Sequence, residues 1–251
     1  MEMSPTGWVV TAIAILLTGI SKSGLGGALG ALAVPFMSMS MAPQQAVAVM
    51  LPVLIAIDLF GIRAWRGKAS GADLRQLLPA AMLGVLAGTL AFGLMSERTV
   101  RIAIGLIAVG FALDRLLRRP KGGAGGERPL RRPLAWLCGA GAGFTSTLAH
   151  AGGPPVMIYL LGRGLPRHTF VATSVFFFAV LNLAKLPFYV GLDLFGRETL
   201  VMSALLMPLV PVGVWLGMRL LARIPERPFF LFATVALALS GAKLLWDGIA
   251  G

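Results

Sequence analysis

Long apolar stretches separated by short, arginine-rich polar loops run the length of the chain. Gln76 to Leu94, Val100 to Leu113 and Phe229 to Trp246 are almost uninterrupted. They approach or reach the roughly 20 residues that a helix needs to cross a bilayer. Three long spans are expected in each half: about Pro43–Ile62, Gln76–Met95 and Thr99–Leu117, then about His168–Val190, Glu198–Leu221 and Arg227–Trp246. Each half opens with an odd segment, Gly7–Met41 or Pro133–Gly162, too long for one simple span and broken near its middle by glycine. In the first, the flanks Trp8–Ile20 and Ala28–Ser40 each give roughly 20 Å of helix, short of the ~30 Å of hydrocarbon.

The halves echo each other. Pro79, Gly84, Gly88 and Glu97-Arg98 recur as Pro208, Gly213, Gly217 and Glu226-Arg227, at a constant offset of 129 residues. Upstream, Gly26-Gly27 can be set against Gly152-Gly153, and Pro43 against Pro166. A duplicated unit is expected: residues 1–117 as first repeat, 118–133 as a basic, glycine-rich linker, and 134–251 as second repeat. The Gly84/Gly88 and Gly213/Gly217 pairs suit close helix packing.

Charge bears on orientation. If each odd segment is a re-entrant hairpin, each half makes three crossings and the halves are inverted. One face then collects 16 of the 22 Lys/Arg, in the loops Arg63–Arg75, Arg115–Arg132, Arg163–Arg167 and Arg219–Arg227, against 4 on the other. If each odd segment crosses once, the halves are parallel and the same charges divide more evenly. The positive-inside rule favours inversion. The fold class expected is therefore an all-α polytopic membrane protein built of two inverted repeats, each with three transmembrane helices and a glycine-rich broken, re-entrant segment.

Composition agrees: 57% of the 251 residues are hydrophobic and 13% charged. The net charge of +12 sits in loops between spans, which suits membrane orientation rather than a nucleic-acid partner. Cys138 is the single cysteine, so no intrachain disulfide and no cysteine-based metal site is expected. The start, MEMSPTGW, lacks a basic n-region, and the first apolar segment is expected to be retained.

The breaks are where chemistry is expected. In lipid, a broken helix is tolerated only inside protein or beside a water-filled cavity. His150-Ala151-Gly152-Gly153-Pro154-Pro155 reads as a break followed by a half-helix, with proline in a first turn that needs no N–H from it. The counterpart follows Ser21-Lys22-Ser23-Gly24-Leu25-Gly26-Gly27. Two half-helix N-termini aimed at one cavity suit an anion. Polar groups near the breaks agree: Ser21, Lys22 and Ser23 at the first; Thr145, Ser146, Thr147 and His150 at the second. Asn182 and Lys185 lie three apart within an apolar helix, on nearly one face. Lys22 and Lys185 add positive charge, and the hydroxyls of Ser21, Ser23, Thr145 and Thr147 are candidate donors to sulfonate-like oxygens. Asp58 is the carboxylate well inside a span; with His150 it is a candidate for proton coupling. No P-loop is present, so a proton gradient is the expected driver, with no cofactor and no metal.

The stretches Gly19–Phe36 (GISKSGLGGALGALAVPF), Gly143–Leu161 (GFTSTLAHAGGPPVMIYLL) and Gly164–Val190 (GLPRHTFVATSVFFFAVLNLAKLPFYV) resemble the TauE/SafE family of sulfite and sulfonate exporters. The resemblance, which covers nearly the whole chain, implies a multi-pass protein of the bacterial cytoplasmic membrane. It also implies a small sulfur-containing or organic anion as partner, usually moved outward. The expectation is a secondary anion transporter rather than an enzyme, with sulfite or sulfoacetate as examples of the cargo and a homodimer as one form. An anion channel is the main alternative. An intramembrane hydrolase using Ser146 and His150, four apart, is the other, although no G-x-S-x-G or H-E-x-x-H motif exists.

Overall fold

The computed structural model describes residues 5–24, 30–117, 132–220 and 226–250, and within these the chain is helical with no strand. Eleven helices follow in order: α1 (Pro5–Gly24), α2 (Gly30–Met37), α3 (Pro43–Ala64), α4 (Gly71–Leu94), α5 (Glu97–Leu117), α6 (Arg132–Ala149), α7 (Gly153–Arg163), α8 (Arg167–Gly191), α9 (Arg197–Leu206), α10 (Leu209–Leu220) and α11 (Glu226–Ala250). Among the described residues, four stretches are long and apolar enough to cross a membrane: Pro5–Lys22, Pro43–Ala64, Gly71–Leu94 and His168–Gly191. The pair Arg197–Leu206 and Leu209–Gly217, bent by 45°, makes a fifth if counted as one span. The protein is a multi-pass membrane protein.

Three differences from the sequence reading have physical causes. First, α1 is 20 residues long, about 30 Å, rather than a 13-residue half-span, because Ser21, Lys22 and Ser23 continue the helix instead of starting the break. Second, the expected span Glu198–Leu221 divides at Met207-Pro208 into α9 and α10, since proline cannot supply the N–H that continues a helix. The matching Pro79 sits inside an unbroken α4. Third, Arg101, Asp114 and Arg115 make α5 more charged than an ordinary span. Residues 118–131, most of the expected linker, lie outside the described residues, and Arg132 and Pro133 already belong to α6.

Glycine sets the closest helix contacts. A Cβ at Gly84 would stand 2.1 Å from the Ala140 carbonyl oxygen, and one at Gly143 2.1 Å from that of Ala81. Farther along, Gly139 meets Leu77 and Gly88 meets Thr147. Residue numbers rise together along both helices, so α4 and α6 run side by side in the same direction. The chain then turns back through α7, and Arg163 at its end reaches Asp73 at the start of α4. Gly19 of α1 packs on Gly213 of α10. Gly105 of α5 packs on Gly241 of α11.

The core centres on α3, whose Ala46, Val47, Ala48, Val49, Met50 and Leu51 are all fully buried. A helix apolar on every side belongs inside a bundle. Across the core, α3 lies against α8 in the opposite direction: Gly61 is beside Val175 and Asp58 beside Asn182. Leucine, valine and tryptophan side chains on the outer faces, such as Leu90, Leu94, Leu137, Leu239 and Trp246, are exposed, as a lipid-facing surface requires.

Candidate functional site

The second break is built on the C-terminal end of α6. The helix ends at Ala149, and His150 takes a left-handed conformation, φ 50°. Its N–H donates to the Ser146 carbonyl at 3.0 Å, the αL helix-ending bond that glycine usually makes. A histidine accepts that backbone strain only where its side chain is held by partners. Gly152 then allows the turn, because a Cβ there would come within 2.7 Å of the Ala142 carbonyl oxygen. Helix α7 begins at Gly153, so Pro154 and Pro155 occupy its first turn, as the sequence indicates.

Both ring nitrogens of His150 are engaged. Nε2 lies 2.9 Å from the Val47 carbonyl oxygen. A carbonyl only accepts, so Nε2 carries the proton and Nδ1 is left as acceptor. Lys185 Nζ, 2.8 Å from Nδ1, donates to it. The same Nζ donates to Ser146 O at 3.2 Å and Ser146 Oγ at 3.1 Å. Three acceptors match the three hydrogens of an ammonium. All three are neutral, and Lys185 is fully buried.

A second polar group meets the first across the α3–α8 contact. Lys22, in the last turn of α1, forms a salt bridge with Asp58 Oδ1. Asn182 Nδ2 donates to Asp58 Oδ2 at 2.6 Å. Lys22 Nζ also lies 5.6 Å from the centre of the Phe178 ring, a cation–π distance. Between the two groups is a cavity of about 20 Å³ bordered by Lys22, Asn182, Ser146, His150 and Gly153 on its polar side, and by Leu54 and Phe178 on its apolar side. That space holds about one water. It is too small for a group the size of a sulfonate.

The structure therefore gathers Lys22, Asp58, His150, Gly153, Asn182 and Lys185 around one point. Gly152 supports the turn from behind. Thr145 and Thr147 differ from expectation: their hydroxyls donate to the carbonyls of Gly141 and Gly143, four residues back, at 2.8 and 3.0 Å. Hydroxyls bound within their own helix have no hydrogen left for a ligand in this conformation. Ser21 is fully buried. Gly26, Gly27 and the side chain of Ser23 lie outside the described residues.

Lys22, expected to supply positive charge to the site, is paired with Asp58. Ser146, read in the sequence as a polar group near the break and as a possible nucleophile, is a partner of Lys185. No ring nitrogen of His150 faces Ser146 Oγ, so the serine–histidine arrangement of a hydrolase is not formed. Sequence reasoning missed the Val47 carbonyl, Phe178, and Tyr189, whose hydroxyl donates to Thr147 O at 2.7 Å.

It also missed a second buried polar cluster at the α4 start. Asp73 Oδ1 accepts from Tyr159 Oη and Arg163 Nε, both at 2.8 Å, and Ser70 caps α4 through Asp73 N. The spacing Ser70-x-x-Asp73 is a capping signal that sequence alone offered.

A family model described as "Sulfite exporter TauE/SafE" matches residues 11–244, nearly the whole chain. No curated protein and no solved structure shows significant similarity.

Proposed function

The chain belongs to the sulfite exporter TauE/SafE family, whose members are transporters rather than enzymes, and we propose that it moves a small sulfur oxyanion or organosulfonate, such as sulfite or sulfoacetate, outward across the bacterial cytoplasmic membrane. The observation that carries this reading is the buried Lys185, held by three neutral acceptors beside a cavity at the α6–α7 break. A charge in mid-membrane costs roughly 2.5–3.5 kcal/mol on insertion scales and is retained for a purpose. Basic and amide donors without a free carboxylate suit an anion.

The site consists of Lys22, Asn182, Ser146, His150, Lys185 and the backbone at Gly152-Gly153, and Ser21, Ser23, Gly26 and Gly27 are assigned to it on the sequence alone. The two repeats, 1–117 and 134–251, are inverted. The antiparallel α3–α8 contact supports this, as does the return of α7 to the start of α4. Alternating access follows from movement of one repeat's broken segment against the rest. Transport is driven by the proton gradient, with His150 and Asp58 as the exchanging groups.

Flux of labelled sulfite and sulfoacetate into proteoliposomes tests the reading. The expected result is a saturable rate that rises with an imposed proton gradient and collapses with a protonophore. A rate that neither saturates nor responds to the gradient identifies a channel.

A further inference from the structure

The ionisable groups around the cavity can be counted one by one. Lys22 comes from α1, Asp58 from α3, His150 from the α6–α7 break, and Lys185 from α8. Tyr189, the next ionisable side chain on α8, donates its phenol to a carbonyl and is neutral. Lys22 and Asp58 cancel each other. His150 holds one proton, on Nε2, and is neutral while Nδ1 accepts from Lys185. What remains is Lys185, whose amine has three neutral acceptors. Among the described residues, no carboxylate lies within salt-bridge distance of it.

We propose that this site is matched to one negative charge, that Lys185 is the counter-charge, and that the cargo is a small monoanion with an apolar end. The proposal rests on the anion-transport reading and narrows it. In a medium of low dielectric an uncompensated charge is costly, so an occupant of charge −1 leaves the centre neutral. A dianion leaves it negative. The cavity walls agree independently. Oxygens find Lys22, Ser146 and Asn182 on one side, whereas Leu54 and Phe178 offer nothing to a polar group on the other. Lys185 lies behind Ser146 and His150 and acts through its charge. A short alkylsulfonate fits both walls, sulfite fits as its singly protonated form, and sulfoacetate fits only with its carboxyl group protonated.

Methanesulfonate and sulfate separate charge from size, being nearly equal in volume and differing by one charge and one methyl-for-oxygen exchange. The experiment titrates each into purified protein in detergent at matched ionic strength and follows thermal stabilisation, in wild type, Lys185→Gln and Lys185→Arg. In wild type, methanesulfonate reaches half of its effect at a concentration at least tenfold below that of sulfate. Lys185→Gln weakens methanesulfonate at least tenfold, and Lys185→Arg keeps the wild-type order. Sulfate equal to or better than methanesulfonate in wild type overturns the proposal. So does an unchanged methanesulfonate response in Lys185→Gln. If Lys185→Gln does not fold, the wild-type order and its persistence or loss in Lys185→Arg still decide. Wild type unresponsive to both anions, and to sulfite and sulfoacetate, sinks the anion-transport reading itself.

Discussion

Asp58 and Asn182 meet at 2.6 Å, each the sixteenth residue of its own helix, α3 or α8. The two helices cross the core in opposite directions, so corresponding positions come together at the centre. One carries a carboxylate and the other an amide, and the carboxylate takes its second partner, Lys22, from α1. A single buried acid thereby joins three helices.

That arrangement predicts a double-mutant result. Asp58→Asn strands the Lys22 charge, and Lys22→Met strands the Asp58 charge. Each single variant is expected to lose about 3 kcal/mol or more of stability, the usual penalty for breaking a buried pair. The double variant loses less than either, because no uncompensated charge remains. Melting of the four proteins in one detergent measures the coupling. Additive losses would mean that the two side chains do not depend on each other.

His150 carries two burdens that substitution separates. Its φ of 50° favours glycine, whereas its ring holds Lys185 and Val47. His150→Gly relieves the backbone, worth about 1 kcal/mol, but removes both hydrogen bonds. His150→Val removes the bonds and keeps the strain. The expected order of melting temperature is wild type, then His150→Gly, then His150→Val, with transport lost in both variants. Transport surviving in His150→Gly at the wild-type rate would show that the ring takes no part.

Glycine-to-alanine changes are expected to have opposite signs at two places. At Gly84 a Cβ would stand 2.1 Å from a carbonyl oxygen that sits in the neighbouring backbone and cannot swing away. Gly84→Ala therefore forces α4 and α6 apart and is strongly destabilising. At Gly110, within α5, a Cβ meets nothing within 4 Å. Gly110→Ala is expected to raise stability by up to about 1 kcal/mol through helix propensity. Equal effects in thermal melts would remove the close α4–α6 contact from the account.

Much of this was legible in the sequence. Apolar periodicity located α3, α4 and α8 because their charges lie at their ends or at the site itself. The break at His150–Pro155 was legible because glycine and proline have fixed backbone consequences. Asn182 and Lys185 were found by their three-residue spacing inside an apolar run. The pairings were not legible. Lys22 is 36 residues from Asp58 and Lys185 is 39 from Ser146, and nothing local in the chain selects one partner over another. Thr145 and Thr147 were overvalued because composition shows a hydroxyl but not that it bonds four residues back along its helix.

Cys138, the single cysteine and buried, makes topology directly measurable. In a Cys138→Ser background, single cysteines placed at Lys68 and His168, both exposed, report the loop after α3 and the start of α8. Inverted repeats put the two on the same side of the membrane, whereas parallel repeats put them on opposite sides. The structure already sets the loop after α3 beside α8, since Ser70 N donates to Thr173 Oγ1 at 2.9 Å. Cysteines at Ser96 and Gly196, also exposed, complete the set and are expected together on the other side. An impermeant maleimide added to intact cells or spheroplasts is expected to label Ser96→Cys and Gly196→Cys, and to spare Lys68→Cys and His168→Cys until the membrane is opened. That result also puts the loops Arg63–Arg75 and Arg163–Arg167 on the inner face, as the positive-inside rule requires. Labelling that separates Lys68→Cys from His168→Cys would make the halves parallel and each odd segment a full crossing.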